Sequence, residues 1–310
     1  MPGYPVAAQG CPGLSAPVEV WGTPAFEAEL RTWVEAQVGS VSSMDAAKRR
    51  PWATVWRAET AGGAYYAKQN CPGQAFEAQL MALLAELAPS YVVPVTAVDA
   101  DRGFLLTPDQ GQVFGEAVAP DDLDAWTRLV VRAMELSRAV ADDADRLLAA
   151  GVTRCRVPDR VRDDVAPLMD TVGSLGLPES LVHNDLHEHN AFDLSGGLVF
   201  FDFADAVVAN PLVGLMVPFD VLVYHLAAEP TDPRLRRIAD AALEVWSDLA
   251  PMAELRAALP AALRLGRLGR AESWSRVVPD FTGDARTEFG SAPDAWLDRL
   301  PDPVPVRYAE

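Results

Sequence analysis

The chain has 310 residues, of which half are apolar, and a formal net charge of −18. This apolar content is ample for a large core, and the strong negative charge argues against nucleic acid or an anionic membrane as a partner. The chain has three widely separated cysteines, Cys11, Cys71 and Cys155. We therefore expect no disulfide framework, and the cytoplasm is the default compartment.

Segments without regular structure are expected at both ends of the chain. Residues 1–20 are rich in Pro, Gly and Ala and are predicted to be irregular, without the pattern of a signal peptide. The tail, 301–310, contains three prolines and is predicted to be loose. No apolar run is long enough to cross a membrane.

The first third of the chain predicts a small lobe of strands and helices. Residues 24–38 suit a helix with Thr23 as its N-cap. Residues 52–59 and 64–69 flank Ala61-Gly62-Gly63 and predict a hairpin. A second helix follows from Phe76 to Leu87, then strands over 91–98 and 103–106 and a linker over 107–111.

The rest of the chain is predicted to be mostly helical. Helices are expected at about these residues: 126–150, 158–174, 213–228, 233–249, 252–264 and 267–277. The expected fold class is therefore α+β, with an N-terminal lobe over 21–107 and a helical C-terminal lobe over 108–300. A cleft between two such lobes is a common place for a ligand site.

One stretch carries most of the chemistry. His183-Asn184-Asp185-Leu186-His187-Glu188-His189-Asn190 follows one apolar strand, and Asp202 follows the next. Protein kinases use the spacing H-x-D-x-x-x-x-N, followed by a second Asp, for phosphoryl transfer. In that arrangement Asp185 faces the acceptor hydroxyl as the catalytic base, while Asn190 and Asp202 hold Mg²⁺.

This motif resembles the aminoglycoside phosphotransferase family, a phosphotransferase-enzyme group related to choline and fructosamine kinases. The pattern of that family is H-G-D-x-H-x-x-N, then an apolar strand that ends in Asp-Trp or Asp-Phe. The resemblance covers roughly residues 45–280 and implies a protein-kinase-like fold of two lobes. It also implies a structural role for His183, which would bond to backbone near Asp202.

Further nucleotide contacts follow from the same resemblance. Lys68 would contact the phosphates and pair with Glu77 on the following helix. Tyr66 shares the strand face of Lys68 and would contact adenine, and residues 105–108 would form the hinge. Ser42 and Ser43 lie where protein kinases have a Gly-rich loop, and they are the candidates for contacts with the phosphates there.

The resulting hypothesis is a Mg²⁺-dependent O-phosphotransferase that uses ATP or GTP on a small molecule. The acceptor is an aminoglycoside, another antibiotic or a different metabolite such as an amino alcohol or sugar. The negative charge permits a cationic acceptor, with Asp205 and Glu272 as conceivable amine ligands, although it could serve solubility alone. The protein is expected to be a monomer or homodimer.

Two alternatives remain open at this stage. A nucleotide-binding pseudokinase would share the fold and act as a regulatory module. A zinc hydrolase would use the cluster of His183, His187 and His189, although the sequence offers only His225 as a further histidine.

Overall fold

The computed structural model of the protein describes residues 17–308 and divides them into a sheet lobe and a helical lobe. Within this range the first five strands are β1 (Val41–Arg49), β2 (Ala53–Thr60), β3 (Gly63–Asn70), β4 (Ala97–Asp99) and β5 (Phe104–Pro108). They form one sheet in the order β1-β2-β3-β5-β4, and all neighbours are antiparallel. The helices of this lobe are α1 (Pro17–Val20), α2 (Pro24–Val38) and α3 (Phe76–Leu87).

The helical lobe follows β5. Its helices are α4 (Phe114–Ala117), α5 (Leu123–Ala139), α6 (Ala144–Ala149), α7 (Arg162–Gly173), α8 (Met216–Leu226), α9 (Pro233–Glu244), α10 (Met252–Val277), α11 (Gly283–Phe289) and α12 (Ala292–Asp298). Its short strands are β6 (Thr153–Arg154), β7 (Ser180–Val182), β8 (Ala191–Leu194), β9 (Gly197–Phe200) and β10 (Val207–Ala209). The two-lobed α+β prediction is therefore confirmed.

Local sequence signals explain the best predicted elements. Thr23 caps α2 by accepting a hydrogen bond from the backbone N–H of Phe26, and Pro24 occupies the first helical position. The turn at Ala61 and Gly62 joins β2 to β3 in the expected hairpin. The stripe of Phe76, Leu80 and Leu84 gives α3 its buried face.

Several boundaries differ from the sequence predictions. The stretch expected to lie over the phosphates, 40–53, is mostly strand β1. The strand predicted over 91–98 is reduced to β4, and the predicted linker over 107–111 begins inside β5. The helix predicted to reach residue 150 breaks at Val140, and the one predicted to reach 249 ends at Glu244.

Two predictions about the C-terminal part were wrong. The helices expected over 252–264 and 267–277 form the single helix α10. The tail is not loose over 301–308, because Val304 and Val306 are buried and the Tyr308 hydroxyl donates to Asp240 Oδ1 at 2.7 Å. Of the predicted irregular start, residues 1–16 lie outside the described range, and α1 follows them.

The described residues form two apolar cores. The larger core fills the helical lobe and includes the buried face of α3. The smaller core packs α2 against one face of the sheet, through Phe26, Leu30 and Trp56, and receives Val277 and Phe281 from the other lobe. The C-terminal end of α10 therefore contributes apolar side chains to the core of the sheet lobe. No helix in residues 17–308 combines the length and apolarity needed to span a membrane.

Candidate active site

Strand β3 presents Lys68 to the side of the sheet that faces α3 and the helical lobe. Side chains alternate along a strand, and Tyr65 and Ala67 point to the opposite face, into the core beneath α2. Lys68 Nζ lies 2.6 Å from Glu77 Oε2 on α3 and 2.6 Å from Asp202 Oδ1. The structure thus contains the predicted pair of Lys68 and Glu77 and places Asp202 against it.

Charge pairing decides the protonation of this cluster. Burial would lower the pKa of Lys68, but the carboxylates of Asp202 and Glu77 outweigh it and raise that pKa, so the ammonium stays charged. Burial raises the pKa of Glu77, which Lys68 partly opposes. Burial also acts to raise the pKa of Asp202, yet Lys68 lowers it overall. Asp202 is therefore an anion, which is the form in which a carboxylate binds a metal ion.

Asp185 lies on the loop after β7, at the end of the buried strand. Arg270 Nη1 is 3.0 Å from Asp185 Oδ1, and the side chain of Asp185 is about one third exposed. Burial raises the pKa of Asp185 to about 6, Arg270 opposes this rise, and the nearby Asp205 and Asp202 add to it. A carboxylate with this pKa can accept a proton near neutral pH.

The backbone around Asp185 is held by its two neighbours. Asn184 has a φ of 66°, in the left-handed region where Gly stands in the related motif, and Asn tolerates this region better than most residues. Its amide donates to the carbonyls of Asp205 at 3.0 Å and Gly269 at 2.9 Å. This explains how Asn can replace Gly at this position.

His183 bonds to backbone on both sides of its ring. Its Nδ1 accepts from Asp185 N at 3.4 Å, so Nε2 carries the proton and donates to Phe201 O at 2.9 Å. The ring packs on Phe203, and burial lowers its pKa. This geometry supports the structural role proposed for His183, since the bond to Phe201 links the loop to the residue before Asp202.

Asn190 and Asp202 offer oxygen ligands that fit Mg²⁺. Asn190 Nδ2 donates to Asp185 O at 2.9 Å, which leaves Oδ1 as the atom available to a metal. Asp202 uses Oδ1 for Lys68 and has its backbone in the left-handed region, at φ 63°. Mg²⁺ is commonly bound by one or two such protein oxygens, with phosphate and water completing its shell.

Tyr66 and the predicted hinge lie beside Lys68. Tyr66 is half-buried, on the strand face of Lys68, and opposes Thr107 of β5. Leu105 and Leu106 have strand partners on both sides, in β3 and β4. Of the predicted hinge residues 105–108, only the last two therefore have an edge that is open to a base.

The structure does not bring Ser42 and Ser43 to this cluster. Ser43 opposes Glu59, whereas Lys48 of the same strand opposes Val55, the partner of Lys68. Four residues along β2 correspond to about 13 Å. Ser42 Oγ instead donates to Glu59 O at 3.1 Å on the surface. These serines could contact a phosphate only if residues 42 and 43 folded over the site as a loop. In the structure they are part of strand β1.

The two acids proposed to bind an amine already have protein partners. Asp205 Oδ1 accepts from Gln74 at 3.3 Å and from Ser273, and Arg270 lies 3.5 Å away. Glu272 is buried and accepts from Thr153 and Arg156. An amine at Glu272 would have to displace one of these donors.

Arg270 is the functional candidate that the sequence prediction missed. It is buried on α10, far along the chain from the motif, and besides Asp185 it reaches Asn184 O at 3.0 Å. The available signal was a pair of arginines, Arg267 and Arg270, within a helix segment otherwise made of Leu, Gly and Ala. Buried arginines are rare unless they are paired.

The histidines do not form a metal centre of the hydrolase type. His183 is turned towards Phe201 O, His187 Nδ1 accepts from His189 N, and His225 pairs with Glu188. In the described part of the chain, no three His, Cys, Asp or Glu side chains are grouped to hold a metal ion. This arrangement weighs against the zinc hydrolase alternative.

Several solved structures with a similar fold are named as kinases of small molecules. Ethanolamine kinase from Plasmodium vivax superposes with a TM-score of 0.61 at 11% identity, covering 87% of this chain and 85% of that one. Amicoumacin kinase hAmiN, in complex with AMP-PNP, Ca²⁺ and its antibiotic, gives 0.54 at 13%, covering 91% and 98%. Choline kinase LicA from Streptococcus pneumoniae gives 0.52 at 14%, covering 88% and 99%. These identities are low, so the likeness establishes the protein-kinase-like fold.

One sequence comparison matches the segment that contains the motif. No curated protein matches the chain by sequence. The model of the phosphotransferase enzyme family matches residues 115–255, the segment that contains Asp185, Asn190 and Asp202. This match covers less than half of the chain, and it lies within a protein-kinase-like fold of two lobes.

Proposed function

We propose that the protein transfers the terminal phosphate of ATP or GTP to a hydroxyl of a small molecule, with Mg²⁺ bound by Asn190 and Asp202. The observation that carries the proposal is the meeting of Lys68, Glu77 and Asp202 between the lobes, within 2.6 Å contacts. Lys68 joins a strand of one lobe to the loop of the other. Its ammonium would be the cation that contacts a phosphate bound at Asp202.

The residues of the site have separate roles in the proposed reaction. Asp185 orients the acceptor hydroxyl and takes its proton, because one carboxylate oxygen is free and its pKa is about 6. Glu77 holds Lys68, and Asn70 donates to Glu77 Oε2 at 2.5 Å to fix the pair. Mg²⁺, when bound, neutralises charge on the transferred phosphate. Tyr66 contributes the face on which adenine or guanine rests.

The acceptor is a small molecule with a free hydroxyl. The solved structures of this fold include kinases named for ethanolamine, choline and amicoumacin, so amino alcohols and amine-bearing antibiotics are the first classes to test. The net charge of −18 would attract a cation over distance. The pairing of Glu272 with Arg156 and Thr153 argues that any direct amine contact lies elsewhere in the cleft.

The decisive experiment follows phosphate transfer with purified protein. Mg·ATP and Mg·GTP are offered separately with ethanolamine, choline, amicoumacin and kanamycin, and nucleoside diphosphate release and phosphorylated product are measured. The proposal expects Mg²⁺-dependent transfer to at least one alcohol and slow hydrolysis without an acceptor. The pseudokinase alternative expects nucleotide binding without release of diphosphate under any of these conditions.

A matched pair of variants assigns the activity to the site. Asp185→Asn should lower kcat by about 10²–10⁴-fold, because it removes the general base. Asp193→Asn is the control, since Asp193 pairs with Arg128 on the surface of the same lobe. Full activity in Asp185→Asn would exclude Asp185 as the base.

A further inference from the structure

Helix α10 approaches the loop of Asp185 very closely at Gly269 and Arg270. A Cβ atom on residue 269 would lie only 2.7 Å from Asn184 Oδ1, so glycine is required for this approach. The carbonyl of Gly269 accepts from the Asn184 amide at 2.9 Å. This contact by itself docks the helix on the loop. The next residue, Arg270, donates from Nη1 to Asn184 O at 3.0 Å and adds a charged contact with Asp185.

The guanidinium of Arg270 completes the fixation of Asp185. The backbone N–H of Asp185 is held by His183 Nδ1 at 3.4 Å, and its carbonyl by Asn190 Nδ2 at 2.9 Å. Arg270 Nη1 lies 3.0 Å from Oδ1 of the same residue. Among residues 17–308, no side chain or backbone donor bonds to Oδ2. One carboxylate oxygen is therefore held, and the other remains open to an acceptor.

We propose that Arg270 is a positioning residue for phosphoryl transfer: it fixes the Asp185 carboxylate through Oδ1, so that Oδ2 faces the acceptor hydroxyl. This inference rests on the proposed function of Asp185. The arrangement follows a general logic of catalytic bases, in which a third group orients the base. Because a misplacement of about 1 Å can cost a hundredfold in rate, losing this contact should affect turnover more than binding.

The position of Arg270 supports a role beyond packing. Its side chain is buried against the ring of Trp296 on α12, 5.8 Å away, and its other carboxylate neighbour, Asp205, is 3.5 Å from Nη1. Asp205 also has Ser273 and Gln74 as donors. Of the two acids, Asp185 lies nearer to Nη1, and within residues 17–308 Arg270 is its one ion-pair partner.

The test compares variants at Arg270 in the turnover of Mg·ATP to ADP and phosphate, with water as the acceptor. Arg270→Ala should lower kcat about 10- to 100-fold and leave the KM for Mg·ATP within about twofold. Added guanidinium should restore a measurable part of the rate in Arg270→Ala, and Arg270→Lys should retain more activity than Arg270→Met. Arg256→Met is the matched control. Arg256 lies on the same helix as Arg270, but it pairs with Asp240 of α9, away from the site.

A double-mutant cycle separates this role from a structural one. If Arg270 acts through Asp185, removing Arg270 in an Asp185→Asn background should cost almost nothing further. Equal losses in both backgrounds, or a wild-type rate in Arg270→Ala, would overturn the inference. A defect without guanidinium rescue and with a large rise in KM would also overturn it. A wild-type rate in Asp185→Asn, or no turnover by the unchanged protein, would instead overturn the proposed function, and the role of Arg270 with it.

Discussion

The behaviour of Asp185 with pH is the clearest consequence of its surroundings. Burial and the neighbouring Asp205 and Asp202 hold its pKa at about 6, against an ordinary value of 3.8, despite Arg270. The base works only when ionised. The kcat/KM for Mg·ATP, which reports ionisation in the free enzyme, should therefore fall as the pH drops through about 6.

The measurement is a pH–rate profile of kcat/KM from pH 5 to pH 8. The group with the raised pKa binds a proton below about 6, so the activity is present above that pH and lost below it. A profile whose acidic limb lies near pH 4 would show that Asp185 titrates as an exposed carboxylate. Arg256→Met should leave the limb where it is, because Arg256 does not contact the site.

Asp202 is predicted to carry the metal dependence of nucleotide binding. Lys68 lowers its pKa, so the carboxylate is available to Mg²⁺ throughout the neutral range. Asp202→Ala should abolish the difference between nucleotide affinity measured with and without Mg²⁺. Calorimetry with AMP-PNP provides both values. Tighter binding in Mg²⁺ that survives the substitution would place the metal elsewhere.

At the scale of residues, the sequence predicted contacts between residues that are near one another along the chain. It did not predict contacts between residues that are far apart along the chain. Asp185, Asn190 and Asp202 follow from a local spacing, and Lys68 and Glu77 from a strand and the helix after it. Arg270 could not be placed, because its partner depends on the path of α10 through the lobe. Nothing in the spacing of the motif specifies which of the arginines on α10 meets the loop.

The elements show a similar limit. Strand β1 was not predicted because Ser42, Ser43, Asp45 and Ala46 have low strand propensity and do not alternate with apolar residues. The strand forms nonetheless as an edge, paired with β2 and largely exposed. Tertiary pairing therefore overrides a weak local preference, whereas the α2, α3 and hairpin signals agree with their surroundings.

Helix α10 runs through Gly266, which lies in the gap between the two predicted helices, 252–264 and 267–277. At Gly266, a Cβ would lie 2.4 Å from Met216 Cβ and 3.0 Å from Val213 O, so the residue serves close packing and does not end the helix. Overpacking of this severity costs about 3 kcal/mol. A helical Gly-to-Ala change returns only about 1 kcal/mol. Gly266→Ala should therefore lower the free energy of unfolding by about 2 kcal/mol.

Urea denaturation measures this difference, with Gly173→Ala as the control. Gly173 ends α7, and a Cβ there would meet nothing within 4 Å. That change should be neutral or slightly stabilising. If both variants lose the same stability, the cause is the loss of glycine itself and not the contact with Met216.

For the whole molecule, the end of α10 and α11 connect the two lobes. Trp52, in the turn between β1 and β2, packs against Trp274, Phe281 and Phe289, with ring centroids 5.4–6.3 Å apart. Gly73, just before α3, donates its N–H to Asp280 Oδ2 at 2.8 Å. Both the hairpin and the start of the helix that carries Glu77 are therefore anchored to the C-terminal part of the chain.

The C-terminal tail is also held by α10, through Arg267 in the second half of the helix. Arg267 is buried, and its two terminal nitrogens donate to the backbone carbonyls of Arg299, Asp302 and Pro303 at 2.6–2.8 Å. Removing the residues after Leu300 would take away two of its four carbonyl acceptors, those of Asp302 and Pro303. An uncompensated buried charge costs about 3–5 kcal/mol, so the shortened chain should melt well below the full chain.

A second variant tests whether Arg267 is the cause. Thermal melts are compared for the full and shortened chains, each with Arg267 and with Arg267→Met. Because Met carries no charge that could lose its acceptors, the shortening should cost less stability in the Arg267→Met pair than in the Arg267 pair. The remaining cost reflects the lost burial of Val304 and Val306 and the lost bond from Tyr308 to Asp240. An equal cost in both pairs would assign the whole effect to those contacts, and the carbonyl acceptors of Arg267 would then contribute nothing to stability.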